Sequence, residues 1–143
     1  MGSKNPKSKP VPAPTKTPRK GFDENPNRLK PAWRIGAMEM RDPFGWHTLS
    51  GEELFEIHAK LRDFESMTLQ EILGPRHHRV PVQSLCKEAT DRLAELHLDD
   101  IEELLSLRLT ATQRIWGVLE HNVVILLWWD PDHQVCPSLK KNT

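Results

Sequence analysis

Two arginines in the segment LRLTATQRI, Arg108 and Arg114, flank one short turn and alternate out of apolar strand sequence. Guanidinium groups so placed can clamp a phosphate bidentately, because the planar fork of donors matches two phosphate oxygens at once. The competing reading pairs them with Glu103 or Glu120, or turns them to solvent. A second group, Asp130-Pro131-Asp132-His133, closes the most apolar segment of the chain. A histidine titrates near neutral pH, so His133 can move a proton while Asp130 or Asp132 orients its ring. Against that stands a plain strand-ending turn, with Asp130 in an Asx-turn and His133 on the surface.

Other residues suit contact with a nucleic acid. Arg76-His77-His78-Arg79 is a compact basic cluster, and Lys140 and Lys141 add charge near the C-terminus. Trp116, Trp128 and Trp129 offer ring faces on which bases can stack, Trp129 foremost. Adjacent tryptophans on a strand point to opposite faces, so at least one of them belongs to the core. His133 and Cys136 have a spacing found among zinc ligands, yet a structural site takes four ligands. His77 and His78 would supply the other two only if the fold brought both close, and neighbours on a strand diverge. These residues therefore imply no metal and no cofactor, with a small zinc-stabilised domain as the alternative.

Trp33–Met40 is a candidate first strand, followed by a turn at Asp42-Pro43-Phe44-Gly45. Ser50 with Glu53, and Thr68 with Glu71, are capping-box patterns that open a helix over 51–65 and a short second helix stopped at Gly74-Pro75. Leu54, Ile57, Leu61 and Phe64 supply the helical spacing of the first. Val80-Pro81-Val82 reads as an edge strand, since proline cannot donate to a central ladder. A third helix spans 84–96 on the spacing of Leu85, Ala89, Leu93 and Leu96. Strands over 104–109, 113–119 and 123–129, joined by short connections, form an antiparallel meander. Val123–Trp129 has no polar break, which points to a strand covered on both faces. The fold class is α+β, with the helices packed on one face of a small antiparallel sheet.

Composition bounds the rest. Residues 1–31 hold seven prolines and eight Lys or Arg against Asp23 and Glu24, while the other 112 residues carry 12 basic and 18 acidic side chains. A net charge of zero thus hides a cationic arm on an acidic body. The arm is too poor in apolar residues to offset the entropy of ordering, so residues 1–31 are expected as a disordered tail and 32–143 as one α+β domain. Position 6 is Pro where a myristoylation signal wants Ser or Thr. The chain has no run of eighteen apolar residues, no apolar leader core and only two cysteines, Cys86 and Cys136. These features imply a cytoplasmic protein with no membrane partner.

The leucine-rich strand leading into LRLTATQRIWGV, then a hairpin into VVILLWWDPDH, resembles the C-terminal strands of the RelE/ParE-like toxins, over roughly residues 95–135. The resemblance implies a curved antiparallel sheet under N-terminal helices, RNA as substrate, on the ribosome in some members, and a cognate antitoxin as protein partner. Basic residues serve cleavage in that superfamily, and Arg108 and Arg114 hold the matching positions. The C-terminal tyrosine of many members has no counterpart, because the chain contains no tyrosine, and its end keeps Lys140 and Lys141. The resulting expectation is a metal-independent endoribonuclease of a toxin–antitoxin pair. In it Arg108 and Arg114 hold the phosphate, and His133, oriented by Asp130 or Asp132, acts as acid or base. The alternative from another class is a non-enzymatic interaction domain that grips a protein with its Trp-rich strand end.

Overall fold

A computed structural model describes residues 25–137 of the chain. Five strands form one mixed sheet: β1 (Ala32–Arg34), β2 (His77–Pro81), β3 (Glu103–Arg108), β4 (Arg114–Glu120) and β5 (Val123–Asp130), in the order β1-β5-β4-β3-β2. The β2-β3-β4-β5 part is antiparallel, and β1 pairs parallel to β5 through Ala32, Trp33 and Arg34. Among the described residues three α-helices complete the α+β fold: α1 (Gly51–Glu65), α2 (Leu69–Ile72) and α3 (Lys87–Glu95).

Both capping boxes form. Ser50 Oγ accepts from the Glu53 amide and Thr68 Oγ1 from the Glu71 amide, and each glutamate accepts in return from its cap's own amide. These bonds satisfy amide donors that a helix start leaves unpaired. β2 lies at the sheet edge, where Pro81 costs no ladder bond.

The helices cover both faces of the sheet, which corrects the one-face arrangement expected from the sequence. Ile57 and Phe64 of α1 with Leu69 and Ile72 of α2 join Leu105, Leu107, Ile115, Leu126 and Trp129 in one core. Ala89 and Leu93 of α3 join Leu104, Trp116, Leu127 and Trp128 in a second core on the opposite face. The sheet is therefore the middle of three layers, and this is why β5 carries apolar residues without alternation. A bulge adjusts the pattern: Trp116 pairs with Trp128 but Gly117 with Leu126, so Leu127 is the extra residue. Leu127 and Trp128 consequently enter the same core although they are neighbours in sequence. Gly117 is required at that point, since a Cβ there would lie 2.7 Å from the Ile125 carbonyl oxygen.

The first strand is shorter than the sequence pattern suggests and ends at Arg34. Beyond it the chain turns Glu39 inward, where its carboxylate accepts from Arg92 Nε and Nη2 at 2.6 and 2.8 Å and from Trp128 Nε1 at 3.3 Å. The Arg92 bond outweighs burial and holds the Glu39 carboxyl below its ordinary range. This paired charge ties the 35–45 loop to α3. Residues 25–31, assigned to the tail from composition, also contact the body. Leu29 O accepts from the Leu69 amide and Lys30 O from Asn122 Nδ2, both at 2.9 Å.

Candidate functional site

The α3 face of the sheet carries a polar row at one end. Arg108 on β3 is the register partner of Arg114 on β4, and Arg114 in turn pairs with Asp130 on β5. Two like charges directly opposite each other on a sheet are destabilising. Among the described residues neither arginine makes an ion pair with a carboxylate, although Asp130 lies on the neighbouring strand, and Glu103 is engaged by Arg79 at 3.2 Å. Glu120 sits at the far end of β4.

The turn between β3 and β4 holds both guanidiniums in place. Arg114 Nη1 donates to the carbonyls of Thr110 (2.9 Å), Gln113 (3.1 Å) and Ala111 (3.2 Å), and Arg108 Nε donates to Thr110 O at 3.3 Å. Arg114 is only 8% exposed. Burial first, then the Arg108 charge, lowers its pKa, while Asp130 acts in the opposite direction. An arginine does not give up its proton at working pH, so Arg114 remains a largely buried cation.

These side chains line a cavity of about 260 Å³ whose wall also includes Arg76, His78, Ser106, Trp116, His133 and Cys136. Three of the residues expected to act together, Arg108, Arg114 and His133, thus meet at one cavity of a size that suits a phosphate group. His133 reaches it from the turn after β5, where its backbone has φ 57°, a left-handed conformation uncommon for a side chain larger than glycine's. Its imidazole is held below the usual histidine range by burial, then by Arg114, with Asp130 opposing and Arg108 adding to the shift.

The remaining residues fall elsewhere. Asp130 is 1% exposed and spends its oxygens on structure, accepting from Gln134 N (2.8 Å), Val135 N (3.0 Å) and Trp116 Nε1 (3.1 Å). It shapes the turn that carries His133 and makes no hydrogen bond to that ring among the described residues. Asp132 is exposed and does not line the cavity. The basic cluster is divided by the period of β2. His78 faces the cavity, whereas His77 packs edge-on against Phe64 in the other layer, with ring centroids 5.0 Å apart. Arg79 is bound to Glu103 and leaves Arg76 and His78 as the cluster's contribution. Trp129 is 1% exposed inside the α1 core, so it has no face to offer a base, and Trp128 is fully buried on the other side. Lys140 and Lys141 lie outside the described residues.

Three roles were not drawn from the sequence. Ser106 and Cys136 line the cavity, and the alternation of Leu105, Leu107 and Leu109 with Ser106 and Arg108 was the available signal for the first. His77 has a positioning role: its Nδ1 accepts from the Arg108 amide at 3.0 Å. Among the described residues no group of three His, Cys, Asp or Glu is placed to hold a metal ion. Set against family models, curated proteins and solved structures, the chain matches none.

Proposed function

We propose that this chain acts on RNA as a metal-independent endoribonuclease, the toxin of a toxin–antitoxin pair, working in the cytoplasm. The observation that carries the reading is the Arg108–Arg114 pair, facing one cavity with His133 and lacking any carboxylate ion pair among the described residues. A phosphodiester placed there receives a forked donor set aimed at the charge that builds on its oxygens during cleavage, the usual basis of electrostatic catalysis. His133, kept neutral by its surroundings, is suited to accept the proton of an attacking 2′-hydroxyl. That hydroxyl also sets RNA apart from DNA as substrate. Asp130 supports the reaction at one remove by fixing the turn. No helix among the described residues is long and apolar enough to cross a membrane.

Expression of the chain alone in a bacterial host tests the reading: growth arrest with fragmented RNA is expected, and both effects should vanish with Arg114→Ala. Harmless expression with intact RNA would overturn it.

A second reading, a non-enzymatic interaction domain, has one observation in its favour. Leu54 and Phe55 on α1 are 56% and 75% exposed, and Phe55 borders a groove of about 400 Å³ that also takes in Ala59 and Leu109. The Trp-rich strand end cannot serve that reading, because its indoles are buried. Partner capture that is lost with Phe55→Asp, in a protein without RNA cleavage, would favour it.

A further inference from the structure

Two imidazoles reach the cavity, and the second completes the chemistry. We infer that His78 is the general acid of this site, giving its proton to the leaving 5′-oxygen while His133 takes the proton of the attacking 2′-hydroxyl; the inference rests on the nuclease reading above.

The sheet register places it. His78 is the partner of Ser106 on β3, and Ser106 is the partner of Trp116 on β4, so these three form the row next to Arg108–Arg114. His78 and Arg108 are therefore diagonal neighbours on one face, a relation that spans about 7–8 Å between strands. His133 enters from the turn beyond β5, which follows the strand on the other side of Arg114. A phosphate on the two guanidiniums thus has one imidazole on its β2 side and the other on its β5 side. Displacement at phosphorus has this need, since the entering and leaving oxygens lie on opposite sides of the atom.

The two rings differ in their surroundings. His133 is partly buried under the arginines, which disfavours its charged form. His78 is exposed, and its Nδ1 lies 3.3 Å from the Arg79 carbonyl oxygen. A carbonyl only accepts, so that nitrogen carries a proton and Nε2 is left to hold and release the other.

The step balances. The 2′-oxygen bonds to phosphorus as His133 takes its proton, the bond from phosphorus to the 5′-oxygen breaks, and His78 protonates the departing oxygen. The products are a 2′,3′-cyclic phosphate and a free 5′-hydroxyl. Water then returns a proton to His78 and removes one from His133.

The test compares two substrates with the purified full chain: a labelled mixed-sequence RNA 12-mer, and uridine 3′-(4-nitrophenyl phosphate), whose leaving group departs without protonation. His78→Ala and His78→Gln should lower RNA cleavage by about 10²-fold or more and cleavage of the nitrophenyl ester by less than about threefold, with the basic limb of the pH–rate profile lost. His133→Ala should lower both. Circular dichroism melting identifies any variant that fails to fold, and the exposed position of His78 supplies Gln as the second choice. Equal losses on both substrates, or full activity of the His78 variants, would overturn the assignment and leave the nuclease reading standing. A wild-type chain that cuts neither substrate would overturn both.

Discussion

Arg108 and Arg114 face each other across a strand pair, and the fold spends three turn carbonyls on keeping Arg114 where it is. Burial and the Arg108 charge disfavour the Arg114 cation, and Asp130 offsets them only in part. Arg114→Ala should lower RNA cleavage by about 10²–10³-fold, and Arg114→Lys should recover little of it, since a point charge does not reproduce the fork. Steady-state cleavage of a labelled RNA checks both. The histidines make a second prediction. Burial lowers the pKa of His77 and of His133, with Arg76 and Arg114 respectively as the next contributors. The unfolded chain takes protons at these positions near pH 6.5 while the folded chain resists them. Stability is therefore complete above that pH and falls as pH drops through it toward the lower folded values. Protonation of His77 would also abolish the acceptor for the Arg108 amide. Denaturation midpoints in urea should decrease from pH 7.5 to 5.5, less so in His77→Gln; a flat or rising profile would contradict this. The arginines and His133 were legible because strand alternation and a polar strand end are local signals. The division of labour between His77 and His78 was not, because a period of two says that they diverge without saying which face holds the cavity.

At the scale of elements, β5 is the piece on which both cores depend. Its uninterrupted apolar run was readable as a strand covered twice, and Val124, Leu126, Leu127, Trp128 and Trp129 are buried. Leu126 is 3% exposed, so Leu126→Ala should cost about 2–5 kcal/mol in chemical denaturation, and a loss under about 1 kcal/mol would contradict its place in the core. Gly117→Ala should cost about 1–3 kcal/mol, because the added methyl meets the backbone of Ile125 rather than a side chain able to move. What the elements could not disclose was their arrangement. Helical periodicity in α1 and α3 tells that one stripe is buried, yet either face of the sheet satisfies that stripe. The β1 strand, three residues long and parallel, carries too little pattern to announce its partner.

Across the whole molecule, charge and connectivity set the limits of the domain. The composition places its boundary at residue 31, but the bonds of Leu29 and Lys30 show that packed chain already precedes it. Removing residues 1–24 should leave the thermal midpoint within about 1 °C, whereas removing 1–32 should lower it by several degrees, since about 1 kcal/mol shifts a small domain by 4–8 °C. Equal midpoints would contradict the earlier start. The acidic balance of residues 32–143 makes the arginine cavity a local exception in the body's own field. The most direct measurement is the binding of a labelled single-stranded RNA 12-mer by fluorescence anisotropy at several salt concentrations, with the chain lacking residues 1–24 to remove the cationic arm's contribution. Arg108→Gln with Arg114→Gln should weaken binding at least about tenfold and flatten the salt dependence by about 1.4, from two phosphate contacts at roughly 0.7 each. Unchanged affinity and an unchanged slope would contradict the assignment of this cavity to RNA phosphate.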